Sequence, residues 1–241
     1  MTSAPAILAF DTATSTCSVA ITRGEVCSGQ VVGSLSFDSG VTHSRRLLGS
    51  IDWLLQTTAM SISKIAALAV GTGPGSFTGL RIGMASAKGL CHGRGLPLIG
   101  ISSLDAVAAS VRSEDLICVA MDARKKEVYC CFYRSRPGGT VVRCSAPAVM
   151  APEELAGLIN EPVTMAGDGV RVYCDLFSEL LGDTAELLPW ISTPPAVNIG
   201  FLASTAQAAG DYLDLDRATP EYVRSSDDQL SLVSRPSLDR E

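Results

Sequence analysis

Residues 66–92, AALAVGTGPGSFTGLRIGMASAKGLCH, pass from an apolar run through a glycine-rich turn into a segment with helical spacing. The run 66–70 predicts a short buried strand and 71–75 a tight turn. Ser76 stands where a helix N-cap is wanted, and the helix is expected to run to about His92. A strand feeding a helix in this way is the unit of sheets covered by helices. Amides at a helix start attract anions. Yet no Gly-Lys-Ser/Thr follows, Ser76 takes the third glycine place of a dinucleotide fingerprint, and no GxSxG elbow is present. On physical grounds the run is a turn before it is a phosphate cradle.

Working outward, strands are expected over 6–10, 17–22 and 26–35, then a helix capped by Thr42. Its apolar residues Leu47, Leu48, Ile51, Leu54 and Leu55 share one face. A strand over 97–101 and a helix over 102–111 follow. Antiparallel strands are expected over 116–121, 128–134 and 141–149, with Pro137-Gly138-Gly139 as a hairpin turn. Helices over 152–159, 170–181 and 198–209 and a strand over 163–166 complete the pattern. No repeat of fixed period is visible, but strands followed by helices occur twice. The expected fold is therefore α/β, with two lobes, each a mixed sheet flanked by helices. They span 1–108 and 109–224, ahead of a polar and disordered tail over 225–241.

Hydrophobic residues make up 46% of the 241 and charged residues 18%, a globular balance apolar enough to leave surface for a partner. The net charge of −6, with no dense basic run, argues against a chain that grips RNA phosphates alone. The eight cysteines show no CxxC spacing, which points to a reducing compartment. MTSAPAILAF lacks the features of a signal peptide, and no run is long enough to cross a bilayer, so a cytoplasmic protein is expected.

Candidate chemistry is sparse. Asp11-Thr12-Ala13-Thr14 leaves the first strand. Its carboxylate suits a hydrated magnesium and its hydroxyls a phosphate, but an ordinary strand-exit turn fits equally, and Ala13 stands where glycine would let a phosphate closest. The only histidines are His43 and His92, and neither has a second histidine three or four residues away, so no metal site is expected. Cys130 and Cys131 are adjacent on a strand and point to opposite faces, against a shared redox role. The charged run from Asp122 to Glu127 either touches a partner or RNA or is a solvated hairpin, and the second is preferred.

Several stretches together resemble one family: ILAFDTATSTCSVAI (7–21), HSRRLL (43–48), GTGPGSFTGLRIGMASAKGL (71–90), PLIGISSLDAVA (97–108), MDARKKEVY (121–129) and PEYVR (220–224). In order and spacing they are similar to the bacterial TsaB family, also called YeaZ. The resemblance implies a two-lobed actin-like ATPase fold of ribonuclease-H-like architecture. It implies a non-catalytic role in forming threonylcarbamoyladenosine in tRNA, beside a catalytic homologue, TsaD, and a P-loop ATPase, TsaE. The chain would touch tRNA only through that complex. TsaD proteins hold iron or zinc through a histidine pair, of which only His43 has a counterpart here. Asp11, Thr12 and Thr14 would then be a vestigial nucleotide loop, with no cofactor. The family pairs through two helices, an arrangement a homodimer can imitate. That implies an interface of Leu47, Leu48, Ile51 and Leu55 with the small strip Gly79, Gly83 and Ala87. An autonomous ATPase or sugar-kinase-like enzyme is the alternative, and a glycoprotease-like metallopeptidase a disfavoured third.

Overall fold

The computed structural model describes residues 4–25, 28–38, 43–136 and 140–223. The expected cap Thr42, the turn Pro137-Gly138-Gly139, the side chain of His43 and the tail over 225–241 lie outside the described residues. The first sheet begins with β1 (Ala6–Asp11), buried at every position because strands flank it and helices cover both its faces. β2 (Thr16–Arg23) runs antiparallel to β1, and β3 (Gln30–Asp38) antiparallel to β2. β4 (Ile65–Gly73) and β5 (Leu98–Ser102) add in parallel, giving the order β3-β2-β1-β4-β5.

Alternation along the strands splits the apolar residues between two faces. Leu8, Phe10, Val19, Ile21, Leu68 and Val70 face α1 (His43–Thr57) and α2 (Phe77–Arg94), meeting Leu47, Ile51, Leu54, Met84, Ala87 and Cys91. The opposite face is lined by smaller residues, among them Ala9, Ala20, Ala67 and Ala69. It takes Ala106 of α3 (Ser103–Ala108) and Ala196, Ile199 and Ala203 of α7 (Ala196–Ala209).

The second sheet repeats the plan. β6 (Leu116–Arg124), β7 (Glu127–Ser135) and β8 (Val141–Arg143) are antiparallel, and β9 (Ala148–Met150) also pairs with β7. β10 (Val163–Ala166) and β11 (Ala185–Leu188) add in parallel, so the order is β11-β10-β6-β7-β8. With β8 and β9, which both pair with β7, taken as one interrupted third strand, each sheet counted from its own first strand runs third, second, first, fourth, fifth. That doubled ribonuclease-H-like topology is the two-lobed actin-like fold. α4 (Pro152–Leu158), α5 (Asp168–Val172) and α6 (Cys174–Leu181) belong to the second lobe.

The structure departs from the sequence reading in the following respects. The strand over 141–149 is two short strands, because residues 145–147, including Pro147 without an amide proton, leave the ladder. The helix over 170–181 is two helices, broken where Tyr173 takes φ −111° and ψ 29°. β11, sequence AELL, has helix-forming composition and is a strand only because β10 offers it an edge. Finally, the second lobe does not keep residues up to 224. α7 covers the first sheet, the Leu213 amide donates to the Leu98 carbonyl at 2.8 Å, and the Glu221 amide donates to the Thr72 carbonyl at 2.8 Å. The chain returns to the lobe it began in.

Candidate functional site: two strand-end turns and an outer helix face

Asp11 ends β1 at 1% exposure. Its Oδ1 accepts the Ala13 amide at 2.7 Å, and its Oδ2 accepts the Ser103 hydroxyl at 2.7 Å. Only glycine fits opposite it, since a Cβ at Gly71 would land on Oδ2. Burial pushes the Asp11 carboxyl up to about 6, with the negative charge of Asp168 adding to the rise and the two hydrogen bonds opposing it.

The rest of this turn is spent on α2. Thr12 Oγ1 donates to the Gly79 carbonyl at 2.8 Å, and the Ser76 amide donates to the Ala13 carbonyl at 2.6 Å. Ser76 Oγ accepts the Gly79 amide at 3.2 Å, the N-cap expected from the sequence. Thr14 is 7% exposed, and its hydroxyl accepts the Thr16 amide at 3.2 Å. A Cβ at Gly75 would overlap the Ala13 carbonyl, one at Gly79 the Thr12 carbonyl, and one at Gly83 the Thr12 hydroxyl. The glycines therefore let α2 sit directly on the Thr12–Ala13 backbone, and the Ser76 and Gly79 amides at the start of the helix are taken by the chain itself.

The structure places most of the expected partner strip inside its own lobe. Gly79, Gly83 and Ala87 are buried against their own lobe, and so are Leu47 and Ile51 on α1. Of the seven residues expected at an interface, only Leu48 is exposed, at 50%, while Leu55 is half-buried. The outward stripe of α2 is offset by two residues: Phe77, Arg81, Ala85, Gly89 and Gly93, four apart and all exposed. Gly89, Gly93 and, on α1, Gly49 have open space around a built Cβ. Trp53 is 53% exposed on α1. It was missed in the sequence, although a tryptophan beside a run of inward leucines was the available signal. At the N-terminal end of the α2 stripe, the Arg81 guanidinium lies 3.8 Å above the Phe77 ring, and its Nε donates to the Tyr222 hydroxyl at 3.2 Å. The PEYVR run thus fixes an arginine at the edge of the stripe.

The second lobe has its own strand-end aspartate. Asp122 occupies in β6 the place of Asp11 in β1. Its amide donates to Asp168 Oδ1 at 2.9 Å, and its carboxylate takes the Arg124 amide at 2.9 Å and the Arg124 Nη1 at 3.1 Å. Asp168, which sequence reading passed over, follows Gly167 (φ 114°) at the end of β10. Burial lifts its carboxyl to about 6, with the Asp122 charge adding and the Asp122 amide, Arg171 and Arg124 opposing. β6 and β7 are joined by Lys125 and Lys126, both left-handed at φ 52° and 62°, with Arg124 at φ 61° before them. Such a two-residue turn normally holds Asn-Gly. A side chain bearing a Cβ costs about 1 kcal/mol at each left-handed place. Among the described residues, no three His, Cys, Asp or Glu side chains are grouped to hold a metal ion. Among the same residues, no helix is long and apolar enough to cross a membrane.

A two-lobed actin-like fold with its first strand-end turn closed by its own helix is the class these features define. A family model described as "TsaD: tRNA N6-adenosine threonylcarbamoyltransferase" matches residues 38–198. The chain is 34% identical to the "tRNA threonylcarbamoyladenosine biosynthesis protein TsaB" of Escherichia coli (strain K12), over 91% of this chain and 95% of that one. It is 28% identical to the Bacillus subtilis (strain 168) protein of the same description, over 94% and 97%. A solved structure, "YeaZ from Pseudomonas aeruginosa", superposes with a TM-score of 0.77 at 29% identity, covering 90% of this chain and 99% of that one. The chain belongs to the TsaB (YeaZ) family.

Proposed function

We propose that this chain is a non-catalytic subunit of the tRNA threonylcarbamoyladenosine machinery, pairing with a TsaD-type catalytic homologue and serving with a TsaE-type ATPase in the cytoplasm. Relatives that align along nearly the whole chain carry the biosynthetic role in their descriptions. The observation favouring a non-catalytic role is the closed turn: the Ala13 carbonyl and the Ser76 hydroxyl take two amides at the start of α2 that a nucleotide phosphate would need free. Asp11, Thr12 and Thr14 are accordingly read as a vestigial nucleotide loop that now braces a helix.

The docking face in this reading is the outer side of α1 and α2, formed by Leu48, Gly49 and Trp53 with Ala85, Gly89 and Gly93. Small residues four apart let a second helix approach closely, and Trp53 supplies a large apolar anchor. A homodimer through the same face would compete with the partner. Co-expression with the TsaD-type protein of the same organism tests this. Co-purification is expected, together with tRNA modification that requires both chains. ATP turnover by the isolated chain at around 1 per second or faster would instead favour an autonomous enzyme.

A further inference from the structure

Arg124, Lys125 and Lys126 are exposed at the tip of the β6–β7 hairpin. All three hold left-handed backbone that glycine and asparagine take at little cost, so long cations sit there against local preference. Outliers of this kind persist where the side chains have a use. The position is also telling. In the first lobe the matching turn is buried under α2, whereas in the second the turn projects with its side chains in solvent. The Arg124 guanidinium is paired with the Asp122 carboxylate at 3.1 Å, which fixes its direction, and its side chain is still 81% exposed. Arg171 stands near the same carboxylates and adds a fourth cation to this corner. Asp122 and Glu127 flank these cations and Asp168 lies beside them, so the corner carries a small excess of positive charge on a body of net charge −6.

We propose that the Arg124–Lys126 turn is a phosphate contact for the RNA that the complex modifies, an inference that rests on the tRNA-modification role above. Three cations neutralise two or three backbone phosphates, too few to hold an RNA alone but enough to position one that a partner subunit already holds. The predominantly acidic composition agrees with that division: the grip is the partner's, and this turn supplies a local register contact.

The test replaces Lys125→Asn together with Lys126→Gly, which gives the turn its preferred residues while removing two charges. The isolated variant should melt at or above the wild-type temperature, so a loss of function cannot be put down to misfolding. Within the full complex, affinity for an unmodified tRNA transcript should fall about 3–10-fold. The dependence of log affinity on log salt should become shallower by about 1.4–1.8, at ~0.7–0.9 for each lost phosphate contact. Unchanged affinity and salt slope would overturn the proposal. So would loss of partner binding by the variant, which would make the turn a protein contact. A wild-type complex that forms but never binds or modifies tRNA would overturn the parent role, and this inference with it.

Discussion

β1 and β6 are the opening strands of two lobes with one topology, and each carries an aspartate where it meets its turn. Asp11 is sealed by Ser103 and the Ala13 amide, and the turn beyond it is pinned beneath α2. Asp122 instead orients an arginine, and the turn beyond it projects into solvent on strained backbone. The fourth strands explain the difference. β4 feeds the 18-residue α2, whose glycines close onto the first turn, whereas β10 feeds the five-residue α5, which is too short to cover the second. The same scaffold thus places a closed turn in one lobe and an open one in the other, and the length of one helix decides which.

The sharpest way to break this contrast is Gly83→Leu. Its side chain would enter the Thr12 hydroxyl and prise α2 from β1, so a loss of about 3 kcal/mol or more is expected, read as a lower melting temperature or failure to fold. A fold as stable as wild type would mean the helix does not lie on the turn. The buried carboxylates provide the next effect. Asp11 and Asp168 ionise near 6, above the ordinary value of 3.8, so the folded state holds their protons longer than the unfolded chain. Their contribution to stability is greatest below about pH 4 and is lost as pH rises through 6. For Asp11 the shift of roughly two units corresponds to about 2–3 kcal/mol. Asp11→Asn should remove close to half of the combined decline between pH 4 and 6, measured by denaturant melts across that range. Smaller still, Thr12→Val deletes one buried hydroxyl bond to the Gly79 carbonyl and should cost about 1 kcal/mol while leaving partner binding intact.

Much of the first lobe was legible because its signals are local. The glycine turn, the Ser76 cap and the α1 leucine spacing each state a structure within a few residues. The second lobe was less so. β11 is a strand by pairing rather than composition, and the break at Tyr173 has no proline or glycine at that residue to announce it. The return of α7 to the first sheet depends on a face of small residues contributed by distant strands. The burial of most of the expected partner strip has a related reason. Gly79, Gly83 and Ala87 recur every four residues, and so do Ala85, Gly89 and Gly93; periodicity names both faces of a helix but not which one turns inward. The deciding fact, Thr12 and Ala13 lodged against the first set, joins residues some 67 positions apart.

That choice of faces is the claim on which the account stands, and Gly89→Leu tests it most directly. Gly89 has open space around it, so the variant should fold with a melting temperature within a degree or two of wild type. Binding to the TsaD-type partner, measured by titration with the purified protein, should weaken at least 10-fold, because a leucine there holds the facing helix off. A variant that folds normally and binds the partner as tightly as wild type would contradict the outer face of α1 and α2 as the docking surface.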